Sequence, residues 1–234
     1  MNREIICDRI LQAATELLTE GGREAVSTRA VCARSGVQSP TIYRIFQDKQ
    51  GLLDAVAYHG FQSYLAAKAA LPATDDPVED LRRGWDQHVE FGLANPALYT
   101  LAFGEIHPGR TTRAAALAAA SLAERVRRIA EAGRLRVSEE HAAHLVHSAG
   151  RGLTLTLIEL PEEQRDPALS PLAREAAIAA VTTGAPAAGP GDRVTAAAVA
   201  LRAALPGRDV LSAAERALLA EWLERLAAPG APAA

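Results

Sequence analysis

The chain is poor in lysine, cysteine and aromatic side chains, and each shortage narrows its possible functions. Two cysteines, Cys7 and Cys32, are too few for a disulfide framework. Both fall in helical stretches and read as small apolar groups in a reducing compartment. Only two lysines stand beside 23 arginines. That skew reflects a GC-rich genome more than a design for phosphate, so arginine number by itself carries no argument. No basic-then-apolar leader opens the sequence, and no apolar run approaches the roughly 20 residues of a membrane helix. A cytoplasmic protein that does not enter the membrane is expected. GxSxG, HExxH, P-loop and GxGxxG patterns are all missing, which removes the commonest motif-bearing enzyme classes. Aromatics are 4% of residues, so each one is worth locating.

What is present is ordinary globular material, with 49% apolar and 23% charged residues over 234 positions. That length suits one large domain or two small ones. A net charge of −3 rules out a uniformly basic nucleic-acid binder. The distribution is less even. Residues 1–50 carry seven basic and six acidic side chains, and from Arg23 to Lys49 there are five basic against two acidic.

Nearly every segment has helical periodicity. Ile6, Ile10, Ala14 and Leu17 share one face, and Gly21-Gly22 ends that helix. Ser27-Thr28 caps a short helix over 29–34, closed by Ser35-Gly36. Ser39 caps the next, with Pro40 at its first position. A longer helix starts near Gly51 and repeats Leu53, Val56, Phe61 and Tyr64. Further helices are predicted near 78–94, 96–104, 111–132, 138–160, 168–183, 192–204 and 212–227. "GAPAAGPG" (184–191) reads as a connector and 229–234 as a frayed tail. "LTLTLIEL" (153–160) alternates like a strand, but it has no partner strand and continues a helical pattern, so helix is expected.

The stretch "GVQSPTIYRIFQDKQGLL" (36–53) mixes apolar with phosphate-seeking side chains. Helices 29–34 and 39–46 around a turn at Ser35–Gln38 have the dimensions of a helix-turn-helix. Val31, Val37, Ile42 and Phe46 would face the first helix, leaving Gln38, Ser39, Thr41 and Arg44 outward. The second helix's N-terminus offers N–H groups and a positive dipole end to a phosphate. Thr41 and Tyr43 can donate hydroxyl hydrogen bonds to phosphate oxygens, and Lys49 can reach the backbone as a point charge. Arg44 and Gln38 have the donor geometry for guanine and adenine edges. Arg34 reads as a solvated surface charge.

"STRAVCARSGVQSPTIYRIFQDKQGLLDAV" (27–56) also resembles the N-terminal DNA-binding domain of the TetR family of bacterial transcriptional regulators. The matching elements are Thr28, Ala33–Ser35–Gly36–Val37, Thr41-Ile42-Tyr43, Phe46, Lys49 and Leu52-Leu53. The resemblance covers about residues 5–58. Ile45 departs from the histidine or aromatic often found there, and Gln47 from a common proline, which leaves the operator sequence undetermined. It implies an all-α homodimer: a three-helix DNA-binding head over 1–50 and a larger helical ligand-binding and dimerisation domain over 51–228. Its partners would be double-stranded operator DNA and a small-molecule effector. By position, Thr28, Thr41, Tyr43 and Lys49 would meet phosphates. Arg29, Gln38, Ser39, Pro40 and Arg44 would lie at or near base edges. No enzyme activity, cofactor or metal is implied.

In the C-terminal part, Trp85, His88, Phe91, Tyr99, Phe103 and His107 concentrate the scarce aromatics. They read either as core or as the lining of an apolar effector pocket, and His144, His147 and Arg151 are added to the pocket set. His141, His144 and His147 stand at i, i+3 and i+6 and drift around a helix by about 60° per step. With Glu140 beside them they suggest a remote alternative, a metal-dependent helical enzyme, but zinc helices favour i, i+4 histidines. Ala149, Gly150 and Gly152 let another helix approach closely. With "AERALLAEWLERLAA" (214–228) they suggest a dimer interface through helices near 138–160 and 192–227. A repressor released by a mostly apolar effector is the expected function. An activator, or a regulator controlled by a protein partner, is the alternative.

Overall fold

The computed structural model describes residues 3–68, 74–104, 109, 111–183, 190–206 and 210–227. Residues 184–189 of the expected 184–191 connector, the tail at 229–234 and His107 lie outside them, while Pro190 and Gly191 already open a helix rather than a connector. The regular structure is helical, as expected. In chain order the helices are α1 (Arg3–Ala25), α2 (Thr28–Ser35), α3 (Ser39–Phe46), α4 (Lys49–Lys68), α5 (Pro77–Ala94) and α6 (Pro96–Tyr99). They continue with α7 (Arg113–Glu131), α8 (Glu139–Glu159), α9 (Leu169–Val181), α10 (Pro190–Ala204) and α11 (Ala213–Ala227). A π-helical turn over Thr100–Gly104 extends α6. The alternating "LTLTLIEL" lies in α8, because a lone strand would have left its backbone unpaired.

The chain divides into two compact units. The first holds residues 1–72, 89–118 and 154–162, and the second 73–88, 119–153 and 163–234. In the first unit, Ile10, Leu11, Ala14, Leu17 and Leu18 of α1 bury one stripe. Against that stripe pack Val31, Val37, Ile42 and Phe46, followed by Leu52, Leu53 and Val56 of α4. All four residues expected to face α1 are therefore buried. Gly21 and Gly22 leave helical geometry (φ −144° and +65°), so the double glycine ends the regular run of α1.

The same core continues into an aromatic cluster. Phe61 meets Phe91 edge-on at 5.1 Å between centroids and Phe103 at 5.8 Å. Tyr64 lies 4.7 Å from Phe91, and Tyr99 lies 4.7 Å from Phe103. Such pairs stabilise beyond simple area burial, by roughly 0.5–1.5 kcal/mol each. Burial beside Glu90 pushes the Tyr64 hydroxyl up to about 12.

The second unit is tied by charge as well as by apolar contact. Arg82 forks onto Glu175 of α9, with its Nε 3.0 Å from one carboxylate oxygen and its Nη2 3.0 Å from the other. Arg174 grips Asp86 at 2.7 and 2.6 Å. Asp80 accepts from the Thr74 backbone N–H at 2.9 Å, from the Thr74 hydroxyl and from Arg128. Burial opposes the charge on Asp80, but these bonds outweigh it and hold its carboxyl below the ordinary range. A short antiparallel bridge joins Leu135 to Thr182.

Candidate nucleic-acid interface and regulatory residues

The α2–α3 turn is built by local chemistry. The Ser27 hydroxyl accepts the Ala30 N–H at 3.2 Å and caps α2, as expected. Gly36 takes φ +66°, and its N–H returns to the Cys32 carbonyl at 2.9 Å. The cap of α3 falls one residue earlier than the sequence reading placed it. Gln38 is the capping position, without a side-chain cap bond, and Ser39 and Pro40 are the first two helical residues. The backbone leaves its extended conformation at Gln38 (ψ 143°), so Ser39 is already inside the helix.

After α3 the chain reverses within two residues. Gln47 adopts φ +70°, outside the comfortable range of a side-chain-bearing residue. Asp48 then accepts the Gly51 N–H at 2.7 Å and starts α4. A methyl group on Gly51 would stand 2.1 Å from the Phe46 carbonyl oxygen, so this turn admits only glycine there. Asp54, on the next turn of α4, accepts the Arg113 backbone N–H at 3.1 Å, and the Arg113 guanidinium lies 4.2 Å over the Tyr58 ring.

The expected DNA-facing residues emerge on one short stretch. Arg29, Gln38, Pro40, Tyr43 and Arg44 are exposed, while Thr28, Ser39, Thr41 and Lys49 are partly covered. Tyr43 exposes 51% of its surface, unusual for an aromatic in so short a helix. Among the described residues, Arg29, Arg44 and Lys49 enter no ion pair. Three other arginines of the head are committed. Arg34 forks onto Glu20 at 2.6 and 2.8 Å and reaches Glu16 at 3.7 Å. Arg9 donates to the Ser35 carbonyl, and Arg23 to the Gln50 side chain. The Arg34 tether was foreshadowed only by Glu16 and Glu20 standing four apart on α1. Gly51 and the Asp54–Arg113 bond left no such signal.

The expected pocket residues divide between the two units. Phe91, Tyr99 and Phe103 are 1%, 0% and 3% exposed in the first unit's core. Trp85, His88, His144, His147 and Arg151 belong to the second unit. Trp85 is buried and donates its indole N–H to the Ser170 hydroxyl at 3.2 Å. Gly150 of α8 closes on Trp85 and His88. A methyl there would stand 3.5 Å from the indole and 3.8 Å from the imidazole. Burial, and after it the charge of His147, pushes His88 down to about 4. His147 is lowered too, by burial, then Arg151 and His144. His141 and His144 are exposed. Among the described residues no three His, Cys, Asp or Glu side chains stand where they could hold a metal ion.

A three-helix head with its second and third helices joined by a left-handed glycine, and uncommitted cations on the outer face, defines a helix-turn-helix protein. Residues 10–56 match the family model described as bacterial regulatory proteins, tetR family, and this N-terminal segment belongs to that family's DNA-binding domain. It is 42% identical over 50 residues to the class C tetracycline repressor of Escherichia coli, a match covering 21% of this chain and 23% of that protein. It is 37% identical over 87 residues to the HTH-type transcriptional repressor Rv3405c of Mycobacterium tuberculosis, covering 37% and 44%. The chain thus spans less than half the length of these relatives. A TetR from Acinetobacter baumannii in complex with minocycline shares the fold at 24% identity and a TM-score of 0.56, over 73% of this chain and 93% of that one. So does a TetR-family regulator from Agrobacterium tumefaciens, at 21% identity and 0.53, over 78% and 100%. Among the described residues no helix is long and apolar enough to cross a membrane.

Proposed function

We propose that this chain is a cytoplasmic transcriptional repressor that binds a palindromic operator as a homodimer and is released by a small effector. The observation that carries the reading is the outer face of α2, α3 and the start of α4. Arg29, Arg44 and Lys49 have no acidic partner among the described residues and flank the exposed Tyr43, while Arg34, Arg9 and Arg23 are spent within the head. Uncommitted cations on α2, α3 and the start of α4 suit a polyanion. Arg44 and Gln38 read base edges, Arg29, Ser39 and Pro40 lie beside them, and Thr28, Thr41, Tyr43 and Lys49 hold phosphates. The head is assigned to residues 1–50 and the regulatory domain to 51–228.

A second copy is called for by the operator and favoured by the surface. Two recognition helices must enter successive major grooves about 34–36 Å apart. Leu218, Trp222 and Leu226 repeat every fourth residue along α11 and are 46%, 51% and 52% exposed. Leu145 of α8 is 50% exposed and Leu201 of α10 48%. An apolar stripe of this kind is a helix-docking surface. The effector is assigned to the second unit, around Trp85, His88, His144, His147 and Arg151. It acts by binding one head spacing better than another, a coupling of typically about 1–3 kcal/mol.

Selection of fragments from random DNA pools by the purified protein tests the reading. A palindromic pair of half-sites bound by a dimer is expected. A protein that stays single-copy and ignores every duplex at low ionic strength overturns it.

A further inference from the structure

Arg125 of α7 lies across α5 in an unusual state. Its Nη1 donates to the Ser121 carbonyl at 3.0 Å and to the Ser121 hydroxyl at 2.6 Å. Among the described residues it meets no carboxylate, and its Nε and Nη2 make no hydrogen bond. The nearest acid is spent, since Asp80 serves Thr74 and Arg128. The side chain is more than half buried, and burial lowers its affinity for its proton. A guanidinium largely withdrawn from water, whose nearest carboxylate among the described residues, Asp80, acts on it only at a distance and is bonded elsewhere, favours an anion brought to it. Its two idle donors are not sealed off from solvent.

The arginine is seated on a glycine. A methyl on Gly84 would stand 2.7 Å from Arg125 Nε and 3.0 Å from its Cδ. Gly84 lets the guanidinium stem lie close on α5, and Nε with Nη2 remains a planar pair of donors, the geometry a carboxylate accepts. One turn further along α5, about 6 Å up the axis, comes His88, with Trp85 beside it and Gly150 closing from α8. Arg125 thus lies against Gly84, the residue before Trp85 and one helical turn from the largely buried His88, all within the second unit.

We infer that the effector is a small organic acid whose carboxylate is held by Arg125, with its apolar body lying toward Trp85 and His88. This rests on the effector-binding reading above and gives that effector its chemical class.

Matched acid and amide probes test it: benzoate with benzamide, indole-3-acetate with indole-3-acetamide, and octanoate with octanamide. Each is titrated against the full chain by thermal shift, and by release of a fluorescent operator taken from the selected pool. At least one acid is expected to raise Tm in a saturable way and to bind at least tenfold more tightly than its amide. Arg125→Gln should remove that preference and leave amide binding unchanged, while Arg125→Lys keeps part of it. Gly84→Ala displaces a side chain able to swing aside, so it should fold and weaken acid binding alone. Acids no better than amides, or acids bound equally by Arg125→Gln, overturn the inference. Operator release by an amide alone overturns it too, while leaving the ligand-responsive regulator standing. Failure to bind any DNA removes the regulator reading, while the thermal-shift arm still decides the role of Arg125.

Discussion

Gly92 and Thr154 touch so closely that no side chain fits between them. A methyl on Gly92 would stand 2.2 Å from Thr154 Cγ2 and 2.9 Å from the Tyr99 ring. Thr154 is fully buried, and Tyr99 belongs to the aromatic cluster that completes the first unit's core. Neither neighbour is the loose end of a flexible chain. Gly92→Ala is therefore expected to destabilise by about 2 kcal/mol or more, despite alanine's better helix propensity. Gly152 gives the contrast, since a methyl there meets nothing within 4 Å. Gly152→Ala should be neutral or slightly stabilising in dilute protein. Thermal denaturation of the two variants side by side checks this, and equal Tm values would contradict the packing described.

Three arginine and lysine variants separate the roles within the head. Arg44→Ala should relax base preference at one or two operator positions, by about 1–3 kcal/mol of discrimination. Lys49→Ala should weaken all sequences alike and reduce the slope of log K against log salt by about one. Arg34→Ala should change neither by much, because that guanidinium is already gripped by Glu20. Anisotropy titrations on specific and scrambled duplexes over a range of salt distinguish the three. Identical behaviour of Arg44→Ala and Lys49→Ala would contradict the assignments.

Most helix boundaries were legible in the sequence because they are set by local chemistry. Gly21-Gly22, Ser27, Gly36 and Pro96 each act on their own backbone, and the periodicities between them report burial. The inward set Val31, Val37, Ile42 and Phe46 followed from spacing alone. Periodicity does not say which distant element a buried face meets. Spacing alone leaves Phe91, Tyr99 and Phe103 open to core or pocket, with core favoured; in the fold Phe61 packs against Phe91 and Phe103, and Tyr64 against Phe91. Arg82 and Glu175, 93 residues apart, carry no mark of their pairing. The same holds for Arg125. Only the fold reveals that its neighbouring carboxylate is already taken.

His88 should make stability depend on pH in a window where carboxylates contribute little. Burial holds its imidazole down to about 4, against 6.5 when unperturbed. Below pH 6.5 the unfolded chain gains a proton that the fold refuses, so stability falls as pH falls from 6.5 to 4. Below pH 4 both states are protonated and the loss is complete. The linkage amounts to at most about 3 kcal/mol. His147 is lowered too and acts in the same direction. Asp76, Asp80 and Glu175, also lowered, lose their contribution mainly at more acidic pH. His88→Gln should flatten the Tm profile between pH 6.5 and 5 and leave the steeper acid limb. An unchanged profile would show that the imidazole is not held neutral by burial.

The exposed stripe on α11 gives the remaining prediction. Trp222 is 51% exposed, with Leu218 and Leu226 one turn to either side. Trp222→Glu places a charge where water already reaches, so the isolated chain should lose less than about 0.5 kcal/mol of stability. If a second copy covers that stripe, the same charge must be desolvated against leucines, and the dimer Kd should rise by about a hundredfold or more. Operator affinity should fall with it, because a single head contacts only one half-site and loses the effective concentration supplied by its twin. Light scattering over a dilution series and operator titration on the same samples measure both effects. A dimer of wild-type strength with intact operator binding would place the interface away from α11, on the Leu145 face of α8.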